Sequence, residues 1–426
     1  MTATTTYTDP QWVSDLRRRA AEARDQAVYP SGREEHWRFT DVSLLRPELY
    51  DATPAESDRT TTPGKATSAL ELSGLQSAGR AIHTDASLAE LTLSDEAMSK
   101  GVVFKPLGEA VQTHADVLEP RLGSLVGASD TFTSWSLADW RGGMFLYVPR
   151  GVSLTDPIQA LHWIDAAGTV VQPRTVVVVE EDARVVFNDL YASNDLDRPT
   201  LAMPTVELFV GRGANVGWVT WQDWGSGVRH LAHVKAQLDR DATLNTLLVT
   251  LGGDFSRTTK ECVLAGEGAE SYMYGLYFPH GEQRFEHWTV QDHASPNTTS
   301  DLLYKGALTD TSQAVYYGTI VVRPGSAKTN AYQANRNLTL SPRARALTNP
   351  QLEIQNNDVR CTHGATVGQI DEDHLFYIQS RGVPRDEAER LVVFGFFNEV
   401  LERVTWSGMH ERLAEAIRHK MLGADL

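Results

Sequence analysis

The sequence predicts a mainly β protein: a right-handed parallel β-helix flanked by N-terminal and C-terminal helical units. Three observations predict it. From about residue 131 to residue 368 the chain consists of short stretches rich in Val, Thr, Tyr and Trp, with hardly any helical pattern between them. Within that region small-residue turns recur at Asp182-Ala183, Gly213-Ala214, Asp241-Ala242 and Gly268-Ala269, their alanines 31, 28 and 27 residues apart. A stacked solenoid requires such spacing, because each coil sets its corner above the last. At both ends of the chain the apolar residues switch to helical spacing. A sandwich or a propeller would use similar strands, but no WD-type signature is present and more than 200 residues of strand without helix is long for one sandwich.

Taken in order, the first element is a helix. Asp9-Pro10 reads as an N-cap and first-turn pair, Trp12, Val13, Leu16, Ala20, Ala23 and Ala27 form its stripe, and Pro30-Ser31-Gly32 stops it. An aromatic and acidic patch follows at Glu34, Glu35, His36, Trp37, Arg38 and Phe39. The Thr-, Pro- and Asp-rich stretch 51–68 reads as a flexible linker. A further helix is expected over 107–125, from the stripe Ala110, Val111, Ala115, Val117 and Leu118, and closes a mainly helical unit 1–130. Strands are expected at 175–179, 205–210, 216–221, 244–249, 272–278 and 315–322, within a β-helix core 131–368. The C-terminal helical unit 369–426 holds three helices. Asp371 caps the first, which carries Leu375, Phe376 and Ile378; Pro384 opens the second, with Ala388, Leu391, Val392, Phe394, Val400 and Leu401; the third spans about 409–422. Because solenoid ends need covering, these terminal units suit the architecture as caps.

Composition narrows the function classes. A formal charge of −16 argues against nucleic acid or an anionic membrane as the main partner. The polar start Met1 to Asp9 gives no secretory pattern and no apolar run matches a membrane span, so a cytoplasmic protein is expected. Two cysteines, Cys262 and Cys361, fit a reducing compartment and cannot supply the four thiolates of a complete iron–sulfur cluster. Any cluster would have to borrow ligands from another chain. The Gly64-Lys65 pair is followed by Ala and lacks the spacing of a phosphate-binding loop, so no nucleotide is expected on this chain. Nucleophile elbows, His-Glu-x-x-His and Cys-x-x-Cys are also missing.

Chemistry concentrates in two places. In 358–368 the chain reads Asp-Val-Arg-Cys-Thr-His-Gly-Ala-Thr-Val-Gly. If that stretch is extended, Cys361 and His363 point to one face, and a thiolate beside an imidazole can hold a soft or borderline metal. The second place is 280–293, with His280, Glu282, Glu286, His287, Asp292 and His293. His287 and His293 differ by an even number and share a face if one strand carries both. His230 and His233 differ by three and point to opposite faces. An all-β repeat with clustered carboxylates could alternatively be a polysaccharide-active β-helix enzyme, built on His280, Glu286, His287 and Asp292.

Residues 283–382 resemble the SufD family of iron–sulfur cluster assembly proteins, which shares its fold with the paralogous SufB family. The resemblance is carried by Tyr304-Lys305-Gly306, by Thr329-x-Ala331-Tyr332-Gln333-x-Asn335-Arg336-Asn337-Leu338, by Pro350-x-Leu352-Glu353-Ile354, by the 358–368 stretch, and by Leu375-Phe376-Tyr377 with Ser380-Arg381-Gly382. Weaker similarity covers most of the rest, including 34–40 and 143–158. SufB-like chains carry Cys-Gly-Ala-His-Thr and His-Glu-Ala-Thr-Thr-Ser stretches near the end; this chain has neither and reads as SufD-like. It departs from the family at Thr362, usually Ser, and at Trp288, where a second His or Gln is frequent.

The resemblance implies a non-enzymatic scaffold subunit. It implies a SufB-like paralogue paired through the β-helix edge and a SufC-like ATPase docked on the C-terminal helices, with ATP hydrolysis on that partner. Cluster formation is then expected at the SufB–SufD interface, with a transient iron–sulfur cluster or iron shared between the subunits. His363 is the implied metal ligand or polar partner and Cys361 an auxiliary thiol. Alone, the same edge could pair two copies as a homodimer. A purely structural subunit, with all ligands on the partner, is the alternative.

Overall fold

The computed structural model describes residues 8–52, 77–404 and 409–422. Its core is a parallel β-solenoid of two long sheets facing each other across a narrow lumen. One sheet runs in the order Ser87–Leu93, Gly79–Thr84, Ile158–Ile164, Arg184–Ser193, Asn215–Asp223, Thr243–Thr250, Glu270–Tyr277, Thr299–Leu308, Thr329–Thr339 and Val359–Gln369. The other runs from Val103–Pro106 and Met144–Val148 through Arg174–Val179, Thr205–Val210, Val228–Leu238, Phe255–Leu264, Arg284–His293 and Gln313–Val322 to Arg345–Ile354. Neighbours are parallel except at the start, where Gly79–Thr84 pairs antiparallel with Ser87–Leu93 and Val103–Pro106 with Met144–Val148.

The recurring turns are one corner of the solenoid. Asp182, Gly213, Asp241, Gly268, Asn297 and Lys328 all have positive φ. The N–H of each reaches the coil above: Asp182 to the Arg212 carbonyl at 2.8 Å, Gly213 to Arg240 at 2.9 Å and Asp241 to Glu267 at 2.9 Å. A Cβ on Gly213 or Gly268 would overlap the carboxylate of Asp182 or Asp241, which explains the alternation of Asp and Gly up this column. Ala183, Ala214, Ala242 and Ala269 are fully buried just past the turn, where the backbone closes on the lumen.

Strand alternation then sorts the side chains. Val185, Phe187, Val216, Trp218, Leu244 and Met273 face the lumen with Val177, Leu208, Val234 and Leu264 of the opposite sheet, and Phe187 stacks on Trp218 at 4.5 Å. Val219, Trp221, Leu247, Val249, Leu276 and Leu303 face outward, where Val393, Phe397, Val400 and Leu401 of helix Arg385–Leu401 cover them. Burying those four helix residues is worth roughly 6–12 kcal/mol before the entropy of ordering. Glu399 pins the same helix, lying 2.5 Å from Lys305 and 2.8 Å from Arg336.

Several expectations need correction. Helix Gln11–Gln26 begins after Pro10 with no side-chain cap; Asp9 instead pairs with Arg17 at 2.7 Å, because the long guanidinium reaches the carboxylate first. The single helix over 107–125 is two short ones, Leu107–Thr113 and Ala115–Leu118, broken at His114 (φ −136°). Helix Thr131–Asp139 lies where strand was expected. At the N-terminal end, Ala97 of helix Asp95–Ser99 and Phe104 do pack into the lumenal cluster beside Ile158 and Phe187, but helix Gln11–Gln26 and the C-terminal helices do not cap the solenoid ends. Helix Gln11–Gln26 packs Val13 against Val111, Phe145 and Val176 on an outer face, and the C-terminal helices cover the apolar rows of the opposite outer face. Of the stretch expected as a linker, only residues 51 and 52 are described; the rest, like residues 1–7 of the polar start, lies outside the described residues.

Candidate site at the open end of the solenoid

Strands Arg345–Ile354 and Val359–Gln369 are the last rungs of their sheets, each hydrogen-bonded to a neighbour on one side only. Their outer edges present a row of backbone donors and acceptors, a template for another strand. Their side chains are largely exposed, unlike the rungs before them, and include Leu347, Ile354 and Val367, between 40% and 47% accessible. Beside them a cavity of about 540 Å³ is lined by Phe39, Leu347, Val367, Arg284 and Arg345.

Cys361 and His363 sit on this terminal rung. The register places Cys361 beside Ala331 and His363 beside Gln333. Cys361 is half-buried among Ile320, Val322, Ala331 and Leu352, and burial pushes its thiol pKa up. His363, two residues on and so on the same face, is exposed. Among the described residues no three His, Cys, Asp or Glu side chains gather into a metal-holding group, so these two donors stand next to an open edge with no third beside them among the described residues.

The aromatic and acidic patch of the N-terminal region straps this end of the solenoid. Tyr317 donates to Glu35 at 2.6 Å and Gln351, on the last rung, donates to the same carboxylate oxygen at 3.3 Å. Thr40 bonds Glu286 at 2.5 Å, and Arg257 lies between the rings of Trp37 and Trp288, 4.0 and 4.4 Å from their centroids.

The second candidate stretch is structural. One strand, Arg284–His293, does carry both His287 and His293, and both face the lumen. His287 bonds Thr250 at 3.1 Å, and His293 bonds Thr298 at 2.7 Å and Ser300 at 2.8 Å. Burial lowers their pKa values to about 3 and about 4. On the outer face, Glu286 is held by Arg284 and Arg257, and Asp292 by Arg323. His280, on the loop before, accepts from Lys420 at 2.8 Å. The carboxylates that a β-helix hydrolase would need are thus already paired. His230 and His233 diverge as expected: His230 is buried against Trp224 and His233 bonds Glu261 at 2.9 Å. Cys262 is fully buried in the lumen, its thiol pushed up to about 12 by desolvation.

The family motifs also acquire physical roles. In Tyr304-Lys305-Gly306, Tyr304 fills the lumen, Lys305 holds the C-terminal helix through Glu399, and Gly306 leaves room for the ring of Tyr277. In Asn335-Arg336-Asn337 the two asparagines bond the Tyr277 hydroxyl from inside, at 2.8 and 2.6 Å, while Arg336 faces out to Glu399. Sequence reasoning gave these residues no contacts; the strict in–out alternation of polar residues was the available signal. Helices Glu372–Gln379 and Arg385–Leu401 leave Phe376, Tyr377 and Leu391 exposed, between 48% and 72% accessible. Among the described residues no helix is long and apolar enough to cross a membrane.

Comparison with known proteins agrees with this architecture. Residues 162–396 match the family model described as SUF system FeS cluster assembly, SufBD core domain, and residues 3–160 match that of the SufBD protein N-terminal region. An iron–sulfur cluster assembly SufBD family protein of Mycobacterium tuberculosis is 30% identical over 407 residues, covering 93% of this chain and 90% of its own length. The iron–sulfur cluster assembly protein SufD of Bacillus subtilis is 27% identical, covering 97% and 95%, and a SufBD family protein of Synechocystis is 25% identical, covering 96% and 91%. With both family models matched end to end along the solenoid and its N-terminal region, the chain belongs to the SufBD family of iron–sulfur cluster assembly proteins.

Proposed function

We propose that this chain is the SufD-like half of a cytoplasmic scaffold on which iron–sulfur clusters are assembled. The observation that carries the reading is the open terminal rung with Cys361 and His363 on one face. A SufB-like paralogue adds its own edge strands there, covering Leu347, Ile354 and Val367 and satisfying the outer backbone groups. The nascent cluster is the cargo and forms at that junction. His363 offers an imidazole lone pair to iron, Cys361 a sulfur as the second donor once a bound cation displaces its proton, and the paralogue completes the set. The resemblance to SufD-like chains and the name of the Bacillus subtilis relative support the assignment of this half.

A SufC-like ATPase docks on the exposed Phe376, Tyr377 and Leu391, and hydrolysis takes place on that chain. The helix carrying Leu391 is pinned to the rungs before the terminal one by Glu399, so movement of the docked ATPase is transmitted toward the junction. The free energy for such a shift comes from tighter binding of one ATPase state. Without the paralogue, the same edge pairs two copies of this chain about a two-fold axis.

One observation favours a second reading. The half-buried Cys361 keeps its proton more firmly than a free thiol, as a structural residue would, and a subunit without ligands would merely stabilise the complex. Native mass spectrometry of the chain co-expressed with SufB-like and SufC-like partners, with iron and sulfide supplied, separates the two. Loss of cluster mass in His363→Ala with all subunits still assembled supports the ligand reading. Unchanged cluster mass leaves the structural one.

A further inference from the structure

Up the column of lumenal residues that ends at His363, the side chains are Ile158, Phe187, Trp218, Thr246, Met273, Leu302, Gln333 and His363, each aligned with the next in the parallel register. The first six make an apolar column broken only by Thr246. Gln333, on the penultimate rung, is fully buried, and neither its Oε1 nor its Nε2 has a hydrogen-bond partner. An amide buried in that condition is costly until water or a neighbouring group completes its bonds, so its place one rung below His363 calls for a reason. Space is cleared for it as well. Across the lumen stands Gly318, where a Cβ would overlap both the Gln333 amide nitrogen and the Tyr316 hydroxyl. The Tyr316 hydroxyl bonds Thr289 at 2.9 Å and makes no hydrogen bond to Gln333, and the residue beneath Gln333 is Leu302. The remaining polar neighbour in the column is His363, one rung above on the same face.

We infer that Gln333 is a positioning residue for His363. When a partner covers the open end and the imidazole turns inward, Gln333 Oε1 accepts the N–H of one ring nitrogen. That fixes the tautomer and leaves the other nitrogen's lone pair for the cargo metal, as a hydrogen-bonding partner behind a metal-ligating histidine commonly does. The inference deepens the interface-ligand reading proposed above and rests on it.

The test uses the complex of this chain with a SufB-like paralogue and Co(II) alone as the probe, read by its visible ligand-field spectrum and by its Kd. Gln333→Met removes the acceptor at nearly constant volume, and Gln333→Glu keeps it. The expected result is a Co(II) Kd raised 10- to 100-fold and an altered spectrum in Gln333→Met, with both restored to near wild type in Gln333→Glu. The melting temperature of Gln333→Met should equal or exceed that of wild type, because an unpartnered buried amide has been removed; a merely structural glutamine would instead show a loss of stability and no change in spectrum. If His363→Ala abolishes Co(II) binding while Gln333→Met binds with the wild-type Kd and spectrum, the positioning role is wrong and the ligand reading survives. If His363→Ala binds Co(II) normally, the ligand reading falls and takes this inference with it.

Discussion

Lys305 Nζ lies 2.5 Å from Glu399 Oε2, joining the third rung from the open end of the solenoid to helix Arg385–Leu401. Lys305 also donates to the Phe396 carbonyl at 2.7 Å, so its ammonium spans the helix backbone and the helix carboxylate. Desolvation lowers the Lys305 pKa, while the Glu399 pKa falls despite its own desolvation because Lys305, Arg336 and Arg403 surround it. Glu399→Gln leaves the buried Lys305 without its counter-charge. Because Glu399 is itself about a third exposed, we expect a loss of about 1–3 kcal/mol rather than the full cost of breaking a buried pair. Urea unfolding measures the loss, and limited proteolysis should cut helix Arg385–Leu401 sooner. The double variant Lys305→Met/Glu399→Leu should recover most of the difference; a double variant as unstable as the two losses added would contradict the pairing.

The lumenal histidines set an acid limit on stability. His83, His230 and His287 have pKa values lowered to about 3 and His293 to about 4, in each case by desolvation. A base whose pKa is depressed in the folded state binds its proton preferentially when unfolded. Stability is therefore complete above the unfolded value near pH 6.5 and is lost as pH falls from there toward the folded values. At pH 5 each such histidine costs about 2 kcal/mol, and the four together cost several times that. Urea midpoints at pH 7.5, 6.0 and 5.0 should fall steeply over that series. A flat profile would show that these rings are not held neutral.

The exposed apolar residues of the terminal rung are expected to act in pairing and not in folding. Leu347, Ile354 and Val367 retain 40–47% of their accessibility. Leu347→Asp and Ile354→Asp should change monomer stability by about 1 kcal/mol or less, in the range of surface substitutions. Each should also abolish association through this edge, with the paralogue or with a second copy. Size-exclusion chromatography with light scattering reads both forms of association. Wild-type complex formation by Leu347→Asp/Ile354→Asp would place the interface elsewhere.

The sequence made the solenoid readable because each corner needs a left-handed residue followed by a residue small enough to bury, and Asp182-Ala183 through Gly268-Ala269 satisfy both needs. It hid helix Thr131–Asp139 because that helix is buried on nearly every side, with Thr131, Thr133, Ser134 and Ser136 inside, so no amphipathic stripe marks it. Strand Gly79–Thr84 was missed because its polar residues His83 and Thr84 are buried rather than turned to solvent. At the site, Cys361 and His363 were visible as a spaced pair of ligand types. Gln333 was not. A glutamine in a strand reads as a solvent-facing residue, and only the solenoid shows it enclosed one rung below His363.

Thiol chemistry offers a direct view of the same end. Cys262 is fully buried in the lumen with its pKa pushed up to about 12, so it should resist modification until the chain unfolds. Cys361 is only half-buried on the terminal rung and so accessible, while its raised pKa makes it slow to react. In the free chain at pH 8, a disulfide reagent should therefore titrate one thiol under native conditions and a second only in denaturant, and Cys361→Ser should remove the first. If a SufB-like chain pairs along this edge as proposed, it should slow the native reaction by at least about tenfold, since reaction then follows the open fraction. Equal rates in the free and paired chain would mean that the partner leaves Cys361 exposed, which is incompatible with a cluster sheltered at that junction.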